Sequence, residues 1–189
     1  MATRFMNAIG IELETYCIGN PLEKKSKLGP LAHRRFYELY KVQKTFLERI
    51  SVAKTREVAI PGSKGYFVSP KFFLLNSSAL FQEKNYAFFQ EEEIFSPMGM
   101  VVPYETEEQL QRWVEDSPYG LGLVWVGDQM KFENKKINLK FNVGMIAVND
   151  ILKSDPRVPF GGVKNSGFGR ESGEFGIREF CNVQTVGFK

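Results

Sequence analysis

The chain has 189 residues, 43% hydrophobic and 25% charged, with a net charge of +3. It is long enough for one domain with a real core. So slight an excess of positive charge, with one tight basic run at Lys24, Lys25 and Lys27, gives no case for nucleic acid and reads as a solvated loop.

The predicted elements follow in chain order. Residues 3–15 read as a helix with Thr3 as its cap and Phe5, Ile9 and Leu13 on one face. Residues 33–50 read as a second, with Phe36, Leu39, Tyr40, Leu47 and Ile50 at helical spacing. Gly65–Leu75 and Met98–Tyr104 are β-rich runs. Thr106-Glu-Glu-Gln109 is a capping box that opens a third helix, expected to bury Leu110, Trp113 and Val114. Leu121–Val126 reads as a strand, Asp128 caps a fourth helix running to about Phe141, and Met145–Asn149 reads as the next strand. The last segment, Asn182–Phe188, reads as one more strand, at an edge or paired with a partner. This alternation argues for an α/β domain with a mostly parallel open sheet flanked by helices. No repeat or low-complexity linker divides the chain, so it reads as one domain over 1–181, with 182–189 as a C-terminal strand.

Two exclusions follow from residue types. The one histidine, His33, and two distant cysteines, Cys17 and Cys181, leave no zinc set and no disulfide framework. Both cysteines read as packing residues in a reduced, cytoplasmic setting. No basic-then-apolar leader is seen, and the longest nearly apolar run, Tyr119–Val126, is too short for a bilayer. Neither secretion nor a membrane is expected.

The densest information lies in Pro159-Phe-Gly-Gly-Val-Lys-Asn-Ser-Gly-Phe-Gly-Arg-Glu171. Glycines at this density permit positive φ or close approach of another surface. The spacing is neither that of a phosphate-binding G-x-x-x-x-G-K-[ST] loop nor that of the dinucleotide fingerprint. The loop Asp150–Gly173 follows a predicted strand, and ligand sites of parallel sheets lie beyond the carboxyl ends of their strands.

The segment from Pro159 to Val186 also resembles the C-terminal signature of the aldehyde dehydrogenase superfamily, with its closest likeness in the bacterial succinate-semialdehyde dehydrogenase branch. Glu92-Glu-Ile-Phe-Ser-Pro97 resembles that family's E-E-I-F-G-P. Ser117-Pro-Tyr-Gly-Leu-Gly-Leu-Val-Trp125 and Leu28-Gly-Pro-Leu31 match further motifs in the family's order. The resemblance implies oxidation of an aldehyde with NAD or NADP. A cysteine thiolate attacks the carbonyl, hydride leaves to the nicotinamide, and a glutamate activates water against the thioester. Neither the nucleophile's G-Q-x-C nor the glutamate's E-L-G-G occurs in this sequence. The chain therefore resembles the C-terminal part of such an enzyme, after its nucleophile and without the cofactor-binding domain.

Carried over residue by residue, the resemblance makes Glu93 the carboxylate for the cofactor ribose and Phe95 the aromatic beside the nicotinamide. It makes Phe160 a wall of the aldehyde pocket, and sets Ser154, Asp155 and Arg157 in the substrate loop that holds a distal carboxylate. The plainer readings are a surface carboxylate for Glu93 and a core anchor for Phe160. Ser96 and Glu115 depart from the family's glycine and asparagine. Arg170 and Glu171 read as a structural ion pair and Lys164 as a loop lysine. Three functional readings stand: an enzyme fragment, inactive alone, that needs its N-terminal half; a non-catalytic module that assembles with full-length subunits, as a homo-oligomer's C-terminal strand would allow; and an independent enzyme using Cys17.

Overall fold

The computed structural model describes residues 1–62, 64–80, 82–134 and 141–189. Where the sequence reads as one domain, the chain forms two compact units, Met1–Glu105 and Thr106–Lys189.

The first unit opens with α1 (Ala2–Glu14), whose N-cap is Met1 with no side-chain cap. Thr3 is therefore not the cap. Phe5 is exposed, and Met6 and Leu13 are the buried residues of this helix. The buried stripe thus starts one residue later than the pattern suggests. α2 (Arg34–Ile50) follows, capped by His33, whose Nδ1 accepts from Arg35 N at 3.1 Å. It buries Tyr40, Gln43 and Leu47, one turn apart as a core-facing stripe requires.

β1 (Ser51–Lys54) is an edge strand with little burial, and β2 (Lys71–Leu75) lies at the centre of a three-stranded sheet, almost wholly buried. α3 (Ser77–Leu80) and α4 (Glu83–Glu91) carry the chain over to β3 (Met98–Val101). β1 and β2 are antiparallel, β2 and β3 parallel, with Phe73 opposite Lys54 on one side and Met100 on the other. The core gathers Leu47, Phe73, Leu75 and Leu80, with Phe46, Phe89 and Ile94 packed against them.

A charge network borders this core. Lys71 has only 3% of its side chain exposed, yet its ammonium is bonded to Glu57 and lies 3.6 Å from Glu48. Lys44 reaches Glu57 at 2.8 Å and Lys54 reaches Glu48 at 2.8 Å. Burial pushes the Glu57 carboxyl up, but the hydrogen bonds from Lys44 and Lys71 outweigh it and hold the group below its ordinary value. The bond from Lys54 lowers Glu48 likewise. A carboxylate whose folded pKa is depressed contributes stability that is present above the unfolded pKa and lost as pH falls through the folded one. Glu57→Gln is therefore expected to lower stability at neutral pH by about 1–2 kcal/mol, discounted for the partial exposure of Glu57. The same change should flatten the acid limb below about pH 4, the ordinary carboxylate range. Urea midpoints across pH 3–7 check this; parallel curves for the two proteins would remove the network from the account.

The second unit begins with α5 (Glu107–Asp116), where Thr106 Oγ1 accepts from Gln109 N at 3.2 Å, as its capping sequence predicts. Leu110, Trp113 and Val114 are half-buried, so none is sealed as expected. β4 (Tyr119–Gly120) and β5 (Gly122–Trp125) follow, then α6 (Gln129–Asn134), started by Asp128, whose Oδ1 accepts from Met130 N at 2.9 Å. Its expected continuation through 135–140 lies outside the described residues. β6 (Met145–Val148) pairs with β5 in parallel, and β7 (Val163–Lys164) pairs with β4 antiparallel. α7 (Gly173–Arg178) completes the elements. The core here is smaller, Phe132 and Phe141 with Val114, Leu123, Trp125 and Ile146 around them.

The α/β class holds, with sheets flanked by helices. Of the four strand pairs among the described residues, two are parallel and two antiparallel. Asn182–Phe188 pairs with no strand among the described residues and is exposed throughout. A strand needs a neighbour's ladder for its backbone donors and acceptors, and the described residues supply none here. No helix among them is long and apolar enough to cross a membrane.

Candidate functional site

The motif-bearing residues fall into two sets, one in each unit. In the first, α4 ends at Glu91 and its cap Glu92 donates its N–H to Phe88 O at 2.9 Å. Glu93 and Phe95 come directly after this stop, and both are exposed. The Phe95 ring, 64% exposed, tilts against Phe36 of α2 with centroids 6.4 Å apart. Gln43, buried on α2, donates from Nε2 to Glu92 Oε2 at 3.1 Å and to Glu93 O at 3.2 Å. The segment is thus a short exposed ledge with a carboxylate and an aromatic on it, fixed from behind by a helix. Ser96 is not among the non-glycine residues with positive φ, so the serine strains no backbone there.

In the second unit, Asn149 ends β6 with φ 53°, and its side-chain amide exchanges two 2.9 Å bonds with the backbone of Gly127. This ties the exit of β6 to the exit of β5. Along the next stretch, Asp155 Oδ1 accepts from Arg157 N at 2.9 Å, and the Arg157 guanidinium grips the same carboxylate, with Nη2 to Oδ2 at 2.5 Å. The bonds from Arg157 hold the Asp155 carboxyl below its ordinary value. Arg157 therefore neutralises Asp155, and the pair offers no net charge to an incoming anion. Ser154 is exposed beside it.

Phe160 and Glu171 exchange backbone hydrogen bonds of 2.7 Å in both directions and close the glycine stretch into a ring. Inside it, Lys164 (φ 56°) donates three hydrogen bonds from Nζ, to the carbonyls of Val114 (3.1 Å), Glu115 (2.9 Å) and Ser117 (2.9 Å). These are carbonyls at the C-terminal end of α5, where a cation is favoured and acceptors lack intrahelical partners. The expected loop lysine is thus a helix cap. Arg170 gives Nη1 to the carbonyls of Gly162 (2.9 Å) and Gly169 (2.7 Å). It binds its own loop's backbone, in place of the ion pair with Glu171 that adjacency suggests. Ser172, with φ 62°, is the third non-glycine residue of positive φ among those described.

A cavity of about 330 Å³ opens in this loop, lined by Leu121, Phe160, Phe168, Arg170, Glu171 and Phe180 among others. Phe160 thus faces a cavity as well as anchoring the ring. Ser154, Asp155 and Arg157 are not among its lining residues. The structure brings Asp155 and Arg157 together and leaves them outside that cavity.

The cysteines divide. Cys17 is half-buried as expected, while Cys181 is exposed, its Sγ 3.3 Å from Ile177 O, and is no packing residue. Lys164 and Gln43 went unnoticed as site-shaping groups; their partners lie 47 to 50 residues away in sequence. No local pattern signals such pairings.

Helices flanking short sheets, with a glycine loop after a parallel strand, define an α/β fold. A family model described as the aldehyde dehydrogenase family matches residues 1–186, and the chain belongs to that family. It is 30% identical over 188 residues to aminoaldehyde dehydrogenase 2, peroxisomal, of Pisum sativum, covering 98% of this chain and 36% of that protein. To succinate-semialdehyde dehydrogenase, NADP(+), 1 of Schizosaccharomyces pombe it is 29% identical, covering 96% and 35%. The crystal structure of succinic semialdehyde dehydrogenase from Streptococcus pyogenes in complex with NADP+ superposes with a TM-score of 0.80 at 27% identity, covering 95% of this chain and 38% of that one. The chain spans about a third of the length of the curated relatives it matches.

Proposed function

We infer that the chain is the C-terminal portion of an NAD(P)-dependent aldehyde dehydrogenase, that its aldehyde is succinate semialdehyde, and that it is inactive alone. One observation carries the reading: the match runs over nearly the whole chain and about a third of each relative, while neither G-Q-x-C nor E-L-G-G occurs in the sequence. The relative and the solved structure that act on succinate semialdehyde support the substrate.

The ledge at Glu93 and Phe95 fits a nicotinamide dinucleotide in its donor chemistry. An exposed carboxylate accepts the two hydroxyl protons of a ribose diol, and an exposed ring suits a flat heterocycle. The bound dinucleotide would supply the hydride acceptor; this chain's part is to hold it by Glu93 and Phe95. Phe160 would exclude water from the aldehyde. Ser154 would hold a distal carboxylate by its hydroxyl, with Asp155 already neutralised by Arg157.

The test is NAD(P)-dependent oxidation of succinate semialdehyde by the 189-residue chain, with Cys17→Ala beside it. No turnover by either protein is the expected result. Turnover that disappears in Cys17→Ala would make Cys17 the nucleophile and overturn the fragment reading. A second reading, a non-catalytic module assembling with full-length subunits, draws on the exposed apolar side chains of Phe180, Val183 and Phe188.

A further inference from the structure

We propose that Gln43 is a positioning residue, whose amide fixes the Glu92–Phe95 ledge and so presents Glu93 to a nicotinamide dinucleotide. The inference rests on the cofactor reading of Glu93 given above. Gln43 is 1% exposed and occupies the buried stripe of α2 between Tyr40 and Leu47. Packing alone would favour leucine or methionine there, since a buried amide costs free energy unless its groups are bonded. The return is at the nitrogen: both of its hydrogens are used, one on the Glu92 carboxylate and one on the Glu93 carbonyl.

Both neighbours are acceptors, so the amide cannot be turned over without setting oxygen against oxygen. Its Oε1 accepts no hydrogen bond from the protein. A polar group kept in a core for the sake of its donors alone has a local task. That task is visible in the chain it holds. α4 has just ended, and the next residues to carry chemistry are Glu93 and Phe95. Phe36, two turns earlier on the same helix as Gln43, meets the Phe95 ring. One helix therefore fixes the ledge by a hydrogen-bonded amide at one end and by an aromatic contact at the other. An exposed carboxylate gains little affinity if its backbone wanders, because ordering it is then charged against binding.

The experiment compares the 189-residue chain with Gln43→Met, which keeps size and removes both donors, and with Glu92→Ala at an exposed position. Backbone amide exchange is measured residue by residue, and NAD+ and NADP+ are titrated into each protein. In Gln43→Met, amides of residues 92–96 should exchange roughly tenfold faster, the scale of a lost hydrogen bond. Those of Phe73 and Met100 should hold within about twofold. Glu92→Ala should give a smaller rise at the same amides, and it reads the same contact if the methionine variant fails to fold. Unchanged exchange at 92–96, or an equal rise everywhere, overturns the positioning role. Where the wild-type chain binds nucleotide, Gln43→Met should weaken it by a similar factor. A local rise in exchange with no nucleotide bound by any of the proteins upholds the positioning of the ledge and removes the cofactor reading of Glu93.

Discussion

Phe73→Ala is expected to destabilise the first unit by about 3–5 kcal/mol, the cost of an unfilled cavity plus lost transfer free energy for a buried phenylalanine. Phe73 is fully buried in the middle strand of the three-stranded sheet, between Lys54 of β1 and Met100 of β3. Leu47 of α2, Leu75 and Leu80 form the same cluster. Partial collapse is hard here, because strands on both sides fix the backbone. A domain holds only about 5–15 kcal/mol in all, so the variant should lose a large share of its stability. Denaturant unfolding followed by far-UV circular dichroism measures it; a loss below about 1 kcal/mol would mean that this cluster is not where the unit's stability lies.

The second large effect is expected at Gly144. A Cβ built there would lie 1.8 Å from the carbonyl oxygen of Gly161 and 3.0 Å from that of Leu121. Both are backbone atoms, so no side chain can swing aside. Gly144→Ala should cost on the order of 3 kcal/mol, the upper part of the range for overpacking. It should also push the Phe160–Glu171 ring away from the start of β6. The paired amides of Phe160 and Glu171, each 2.7 Å from its acceptor, report this directly. Their exchange should rise well beyond that of the β5–β6 pair. An alanine accepted without loss of stability, and with those two amides unchanged, would show that the close approach of Gly144 and Gly161 does not set the loop's place.

Elements with strong local signals were legible. α2 shows its period over a full set of turns, and α5 carries its cap in Thr106 and Gln109. β1 was not foreseen, because its residues are mostly exposed at an edge and Ser51 follows a helix without a break. α4 was missed because a polar residue, Asn85, is buried on it; Nδ2 donates to Ala79 O at 2.7 Å, a bond no hydropathy pattern reveals. In the candidate site, the residue types at 92–97 and 150–173 drew attention to two segments that the structure shows as an exposed ledge and a ring closed between Phe160 and Glu171. What each segment leans on was not. Gln43 beneath Glu93 and Lys164 beneath α5 join residues 47 to 50 positions apart, and only the fold makes them neighbours. The segment Asn182–Phe188 has strand propensity but pairs with no strand among the described residues, and propensity alone does not form a ladder.

The three non-glycine residues with positive φ among those described, Asn149, Lys164 and Ser172, all bracket or sit within the glycine loop. Each holds a conformation that an L-residue leaves when free. The bonds from Asn149 to Gly127, and from Lys164 to the end of α5, are what oppose that relaxation. A loop built this way behaves as a cast, not a hand: it surrenders little freedom when something settles against it. Recognition at such a surface is decided by the fit of the incoming molecule, and a poorly shaped one cannot be rescued by the loop folding round it.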